Sequence, residues 1–294
     1  MSSRPWNIKN LLKVTTNYLK KKQIENPRLT AEVLLACQLK QDRVNLYLNF
    51  DKSLTEHELF GYQDFIRRRV KREPLQYITG VQEFWSLDFR VNSQVLIPRP
   101  ESELLVEHGL KIVNGLNFPK GHAIHILDMG TGSGALAIAL AHELPDAVIF
   151  ATDISQDAID LAKENAKKHG VLDKIQFKQG DLWQSLNEQY TPFDLIISNP
   201  PYIATDEYSG LPPEVRDYEP HLALHGHNDG IFFIEKIISG ALTFMRHGAW
   251  LLVEMAPWQT EKALELYGQM QAYDQKMRIK DYSQHYRIAM GRKA

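Results

Sequence analysis

One cysteine, Cys37, among 294 residues excludes an internal disulfide framework. It lies in the apolar run VLLAC, so a buried thiol is expected rather than a reactive one. Long hydrophobic runs are missing as well. The longest, ALAIALA (135–141), falls far short of the roughly 20 residues a membrane helix needs, and no membrane association is expected. Nothing in MSSRPWNIKN (1–10) resembles a signal sequence, so a cytoplasmic location is expected. An excess of either charge is also lacking: 34 lysines and arginines against 36 aspartates and glutamates leave a formal net charge of −2. That balance gives no general attraction for phosphates, and no stable nucleic-acid binding is expected. His221, His225 and His227 lie close together in HLALHGH, but no cysteine joins them and their spacing fits no common zinc pattern; no metal is expected. What the chain has in quantity is apolar material. At 44% hydrophobic residues it can fill a sizeable core, and its length exceeds one average domain.

The most informative segment is FDLIIS (193–198) followed by Asn199-Pro200-Pro201-Tyr202. The apolar run reads as a buried strand, and two prolines cannot extend it. A carboxamide, a proline carbonyl and an aromatic ring are therefore gathered at a strand's carboxyl end, where ligands of open α/β sheets bind. Asn199 and Pro200 offer two acceptors side by side, which suits a substrate –NH₂ with its two N–H donors. The ring of Tyr202 could hold a flat group against them.

Upstream, HAIHILDMGTGSGALAIALA (122–141) reads as strand, glycine turn and helix. Ile124, Ile126 and Leu127 form the strand, Asp128 ends it, and Gly130, Gly132 and Gly134 allow a tight turn with close backbone approach to a ligand. A second strand, AVIFATD (147–153), ends in Asp153, which suits the two hydroxyls of a ribose. The helix over 155–170 has Ser155 as its N-cap and Gly170 as its stop. A third strand, IQFKQGD (175–181), ends in Asp181, placed to accept from an exocyclic amine. Alternation of this kind predicts a parallel, doubly wound sheet.

The glycine turn alone also satisfies G-x-G-x-x-[GA] if Ala135 is its last position, which leaves a nicotinamide site open. Asp128 before the turn would repel a pyrophosphate and welcome an ammonium, and Asn-Pro-Pro-Tyr has no job in hydride transfer. The set resembles a class I methyltransferase using S-adenosylmethionine, of the branch that methylates amide or exocyclic amine nitrogens. Further segments narrow the likeness: EPLQYITGVQEFWSLDF (73–89), LIPRPESELLVE (96–107), LPPEVRDYEPHLAL (211–224) and YRIAMGR (286–292). With SNPPYI (198–203), they resemble the peptide chain release factor glutamine methyltransferases, the HemK/PrmC family, over nearly the whole chain. Two departures stand out. Leu182 and then Trp183 follow Asp181 where an aromatic adenine neighbour is expected, and EMAPWQT (254–260) lacks the glycine the family carries after its glutamate.

The resemblance implies an α/β, Rossmann-like class I fold with a seven-stranded, mostly parallel sheet, preceded by a small helical bundle and a β-hairpin linker. It implies methylation of the side-chain nitrogen of the glutamine in the Gly-Gly-Gln motif of class I release factors, in the service of translation termination, by a monomer. The expected divisions are 1–75 for release-factor recognition, 76–100 for the linker and 101–294 for methyl transfer. Asn199, Pro200 and Tyr202 would be catalytic, and these with Pro201 would bind substrate. Asp128, Gly130, Thr131, Gly132, Ser133, Gly134, Asp153, Asp181, Leu182, Trp183 and Asn199 would hold S-adenosylmethionine.

Elsewhere, helices are expected around 6–24, 28–39, 42–49 and 55–72, with Ile8, Leu11, Leu12, Thr15 and Leu19 on one face and Leu59, Tyr62, Ile66 and Val70 on another. QEFWSLDFRVNSQVLIP (82–98) reads as a hairpin turning around Ser86-Leu87-Asp88, followed by a helix over 101–113. Arg67, Arg68, Arg69, Lys71 and Arg72 form a cationic helix end, either simply solvated or a patch that helps dock an acidic partner or contacts RNA nearby. The long polar loop over 203–220 suggests a lid or binding loop, with Glu214, Arg216, Asp217 and Glu219 facing an entering peptide. Two rivals remain open at this point. One is an adenine N6 methyltransferase acting on a flipped base, and the other an adaptor that binds S-adenosylmethionine without catalysis.

Overall fold

A computed structural model describes residues 6–116, 121–186 and 192–294. The first five residues, which share in the reading of MSSRPWNIKN, lie outside the described residues. The chain divides into two compact units, Met1–Val81 with Pro212–Tyr218, and Gln82–Leu211 with Glu219–Ala294.

The first unit holds α1 (Ile8–Lys21), α2 (Pro27–Leu39), α3 (Arg43–Leu48), α4 (Glu56–Val70) and α5 (Leu75–Thr79). Helix α1 starts where the Asn7 side chain accepts from the Asn10 amide, and α4 starts on a reciprocal Thr55–Glu58 capping box. The buried residues of α1 are Ile8, Leu11, Leu12, Thr15 and Leu19, the face expected from the period. The Tyr62 hydroxyl donates to the Ala31 carbonyl at 3.1 Å and ties α4 to α2. Five residues are too few to display a helical period, so α5 has no counterpart among the expected helices. Cys37 is half-buried, and burial pushes its thiol up.

The basic run at the end of α4 is largely consumed inside this unit. Arg69 is buried, donating to the Glu73 carbonyl and to Glu214 at 3.0 Å, and Arg72 donates to the same carboxylate oxygen at 3.3 Å. Tyr218 closes the arrangement by donating to the Lys71 carbonyl at 2.6 Å. Glu214 is thus the acidic partner of this helix end, supplied by the chain's own loop.

The second unit opens with a hairpin, β1 (Val81–Phe84) and β2 (Leu87–Arg90). Trp85 and Ser86 both have positive φ, 52° and 58°, the backbone of a tight two-residue turn whose twist suits the strands. The turn is therefore earlier than expected, and β2 stops at Arg90 instead of running toward 98. Then come α6 (Glu103–Gly115), after a 3₁₀ turn at Pro100–Ser102, β3 (His125–Met129), α7 (Ala135–Glu143), β4 (Val148–Asp153), α8 (Gln156–Lys168), β5 (Ile175–Gln179) and β6 (Phe193–Ser198). Short α9 (Pro213–Arg216) belongs to the first unit; α10 (His221–Leu224), α11 (Phe232–Phe244), β7 (Met245–Glu254), α12 (Gln259–Gln269), β8 (Tyr273–Lys280) and β9 (Tyr286–Lys293) complete the second.

Among the described residues, seven strands form one sheet in the order β5-β4-β3-β6-β7-β9-β8. The first five are parallel; β9 is antiparallel to both β7 and β8. All of β6 is buried, with Leu195 and Ile197 packing into the core beneath α6 and α7 and Phe193 and Ile196 into the core beneath α11 and α12. Two-sided burial is why FDLIIS is a continuous apolar run. The chain winds outward from β3 through β4 and β5, then returns to place β6 on its other side. That reversal opens a crevice at the carboxyl ends of β3 and β6.

Candidate active site

A cavity of about 340 Å³ lies at this crevice. Its floor is the turn between β3 and α7. Gly130, Gly132 and Gly134 all have positive φ, and a Cβ on Gly134 would stand 3.0 Å from Ile138 Cδ1 and 3.1 Å from Ala162 Cβ. A Cβ on Gly132 would meet nothing within 4 Å, so this glycine leaves the turn open toward the cavity. The Gly130 and Thr131 amides donate to the Thr152 carbonyl, and the Gly132 amide to Asp153 Oδ2 at 2.8 Å. Asp153 Oδ1 accepts from Ser155, whose own side chain caps α8 by accepting from Ala158. Burial raises Asp153, opposed by these backbone donors.

Thr131, Gly132, Ser133, Asp153, Asp181 and Leu182 all line the cavity. Asp181 starts a 3₁₀ turn without using its side chain as a cap. Asp128 and Trp183 are placed differently. Asp128 is fully buried beneath the turn; its Oδ2 accepts from Thr131 and from the Ala137 amide, while Oδ1 has no partner among the described residues. Burial pushes this carboxyl up to about 7. Trp183 turns away to α11, donating to the Lys236 carbonyl and stacking on Phe244 at 5.1 Å. Gly240 makes that seat, since a Cβ there would fall 2.3 Å from the indole nitrogen. Leu182, with φ of 45°, is the side chain left at the cavity.

The opposite wall is the exit of β6. Asn199, Pro200 and Pro201 line the cavity, and the Asn199 carbonyl lies 3.9 Å from where a Gly130 Cβ would be. Asn199 Nδ2 donates to Ser102 Oγ at 2.9 Å, and Ser102 Oγ donates to Glu254 Oε2 at 2.6 Å. Asn199 Oδ1 meets no donor among the described residues. Tyr202 does not line the cavity. It packs against the α11 side of the core, burial pushes its phenol up, and its carbonyl accepts from Gln259.

Several groups that shape the site carry no motif signal. Asn165 on α8 is completely buried; its Oδ1 accepts from the Arg90 amide, and its Nδ2 donates to the Arg90 and Ser133 carbonyls. One side chain thereby joins the hairpin to the glycine turn. Glu219 corrects an expectation: it faces no entering peptide. It is 5% exposed, accepting from Arg99 at 2.6 Å and from the Ile97 amide at 3.2 Å, and so secures the segment whose Val95, Leu96 and Pro98 line the cavity. Of the remaining loop charges, Glu214 turns to Arg69 and Arg72, while Arg216 and Asp217 pair with one another at the surface. Phe84 and Phe89 are core side chains, and Phe84 and Phe233 both line the cavity. The rings of His221, His225 and His227 lie tilted against one another in sequence, with His225 sharing a hydrogen bond with Thr205. Among the described residues no group of three or more His, Cys, Asp or Glu could hold a metal.

Comparison with known proteins adds to this geometry. Residues 10–80 match a family described as the PrmC N-terminal domain, and residues 120–283 match a methyltransferase domain. A release factor glutamine methyltransferase from Geobacter sulfurreducens is 44% identical over 269 residues, 91% of this chain and 91% of its own length. One from Rhodopirellula baltica is 38% identical over 290 residues, covering 99% of this chain and 97% of that protein. A solved human methyltransferase 10 domain containing protein has the same fold at 17% identity, with a TM-score of 0.53 over 79% of this chain and 97% of its own.

Proposed function

We propose, because this chain belongs to the release factor glutamine methyltransferase family, that it methylates the side-chain amide nitrogen of the glutamine in the Gly-Gly-Gln motif of class I peptide chain release factors. The methyl donor is S-adenosylmethionine, which supplies an electrophilic methyl group on a sulfonium.

The residues present fit that donor. The turn over 130–134 leaves room for close approach at Gly132, and a buried acceptor, Asp128 Oδ1, is unspent beneath it. Gly130, Thr131, Gly132, Ser133 and Gly134 would cradle its amino-acid end, with Asp128 behind them stabilising the ammonium. Asp153 would take the ribose hydroxyls. Asp181 and Leu182 would take the adenine, and Trp183 would support them from behind.

One observation carries the acceptor assignment: the Asn199 carboxamide is tied through its nitrogen to Ser102, so its oxygen is the end available to a substrate. A glutamine amide nitrogen is a poor nucleophile because its lone pair is delocalised into the carbonyl. Asn199 Oδ1 and the Pro200 carbonyl oxygen each accept one N–H of that amide. Both dipoles oppose the delocalisation, orient the lone pair and stabilise positive charge as it develops on nitrogen. As the nitrogen–carbon bond forms, the donor's carbon–sulfur bond would break with its electron pair left on sulfur; the surplus proton on nitrogen, acidic once the new bond exists, would leave to water, and no strong base has to touch it. Pro201 and Tyr202 keep the exit of β6 in place, so that these two acceptors stay side by side.

The helical first unit would recognise the release factor as a folded protein, and the enzyme would act as a cytoplasmic monomer with no stable nucleic-acid contact. Among the described residues no helix is long and apolar enough to cross a membrane. Incubation with isotopically labelled S-adenosylmethionine, followed by mass spectrometry of release factor and of total RNA, tests the proposal. Label on the glutamine is expected. Label on adenine in RNA, with none on protein, would overturn it.

A further inference from the structure

Next to Asn199 lie two polar groups that the methyl transfer does not itself use, Ser102 at the cavity wall and Glu254 beneath it. Ser102 is 4% exposed and Glu254 2% exposed, and they continue the hydrogen bond of Asn199 inward. The nearby guanidinium groups are committed elsewhere: Arg99 donates to Glu219 and Arg287 to Asp281. Among the described residues Ser102 is the donor that Glu254 has.

A carboxamide has two ends of nearly equal size and opposite hydrogen-bonding sense. With Oδ1 toward the cavity, Asn199 accepts an N–H. Turned over, it presents its own –NH₂ to the substrate's –NH₂ and repels it. The Ser102 hydroxyl decides between the two because it has one proton to give. An ionised Glu254 can only accept, so it takes that proton, and Ser102 Oγ must then accept from Asn199. Asn199 can satisfy this only through Nδ2. A protonated Glu254 donates to Ser102 Oγ instead and releases the hydroxyl proton, which a turned Asn199 Oδ1 can accept.

We propose that Glu254, acting through Ser102, sets which end of the Asn199 carboxamide faces the acceptor nitrogen, so that Ser102 and Glu254 are positioning residues for methyl transfer. The relay rests on the methyltransferase function above. The charged and titratable groups facing Glu254 are Glu101 and Arg99 before α6, Tyr202 after β6 and Arg287 on β9. Burial raises Glu254 to about 7, with Glu101 adding to the rise and Arg287 and Arg99 opposing it. The relay therefore reverses within an accessible pH range.

The test uses the full chain and its Ser102→Ala, Ser102→Thr and Glu254→Gln variants. Single-turnover methylation of release factor is measured from about pH 6 to 9, and the Asn199 side-chain amide is followed by NMR over the same range. In the wild type the rate rises through about pH 7, and the amide signals shift with the same midpoint. Ser102→Ala lowers the plateau roughly three- to tenfold, the scale of one hydrogen bond, and removes the pH step. Ser102→Thr restores both. Glu254→Gln removes the step whatever its plateau, and affinity for S-adenosylmethionine is unchanged throughout. Wild-type rates and pH profiles in Ser102→Ala and Glu254→Gln would overturn the relay, as would wild-type amide signals that do not titrate. A wild type that shows the amide titration but methylates no release factor would remove the functional assignment and leave the relay standing.

Discussion

Replacing Asn199 by alanine separates the chemical step from binding. The substitution deletes the one side-chain acceptor proposed for the substrate amide, used most while positive charge grows on nitrogen. Losing a single preorganised group aimed at developing charge slows other enzymes by about 10²–10³, or about 2.7–4 kcal/mol, and the same range is expected here. The cost to the fold is smaller. The hydrogen bond from Nδ2 to Ser102 is lost, but Ser102 still donates to Glu254, so no buried donor is stranded. About 1 kcal/mol of stability, a shift of about 2 °C in Tm for a chain of this length, should follow. The bonds that shape the glycine turn, from Gly130, Thr131 and Gly132 to Thr152 and Asp153, do not involve Asn199. Affinity for S-adenosylmethionine should accordingly change by less than about threefold. Rapid-quench single turnovers with radiolabelled methyl donor, calorimetry and thermal melts read the three quantities separately. A single-turnover rate within about threefold of the wild type, in a protein with normal affinity and Tm, would refute the amide clamp. A fall in affinity as large as the fall in rate would assign Asn199 to the cofactor instead.

Asp153→Ala should weaken S-adenosylmethionine binding by roughly 1–3 kcal/mol in calorimetry, because it removes both the acceptor facing the cavity and the partner of the Gly132 amide; unchanged affinity would remove Asp153 from the cofactor site. Trp183→Ala should lower stability by roughly 2–3 kcal/mol with little change in cofactor affinity, whereas Leu182→Ala should do the reverse, since only Leu182 lines the cavity. Tyr202→Phe should leave turnover within about twofold, as no bond to its hydroxyl among the described residues supports the site; a large loss would give that hydroxyl a role. Stability without cofactor should fall as pH rises from about 5 to 8. Burial raises both Asp128 and Glu254 to about 7, so the folded state holds protons that the unfolded chain has already released. The stabilisation is complete below the unfolded carboxylate range and is lost as pH passes 7, by about 3 kcal/mol for each group. Melts that are flat or rise across that window would refute this, and Glu254→Gln should remove about half of the slope.

Much of the second unit was legible because burial imposes a period. FDLIIS, packed on both faces, could only be a central strand, and its two prolines fixed where the chain leaves the sheet. The glycine turn was legible for a similar reason, since three positive φ values demand glycine. Ser155 and Gly170 delimited α8 through local chemistry alone, the first as a side-chain cap and the second at φ of 70°. What was illegible depends on partners distant in sequence. Trp183 next to Leu182 looked like an aromatic neighbour for a base, but Gly240, far along the chain, makes a seat that draws the indole to α11. Glu219 looked like a loop charge until Arg99 and the Ile97 amide came to meet it. The basic end of α4 invited an external acidic partner, and Glu214 of the same unit fills that place.

Ser102 and Glu254 are the hardest case, and energy explains both why they were missed and why they matter. A serine after PRPE and a glutamate at the end of an apolar strand have no spacing in common; 152 residues separate them. Neither contributes to the fold in the ordinary way. Burying a carboxylate with one neutral donor is unfavourable, and above neutral pH it weakens the folded state. An apolar residue at 254 would pack against the same neighbours without that cost. Asp128 presents the same imbalance beneath the glycine turn, with one oxygen satisfied twice and the other not at all. Asp128 stands directly behind Thr131, which lines the cavity, and Glu254 stands behind Asn199 through Ser102. Both side chains would gain from a ligand what the fold withholds: a cation for Asp128, and for Glu254 an amide held the right way round. Stability lost in the empty protein and recovered on binding is then the thermodynamic mark of this site. Melts at pH 8 should therefore rise more with S-adenosylmethionine in the wild type than in Asp128→Asn, and an equal rise in both would deny Asp128 its part.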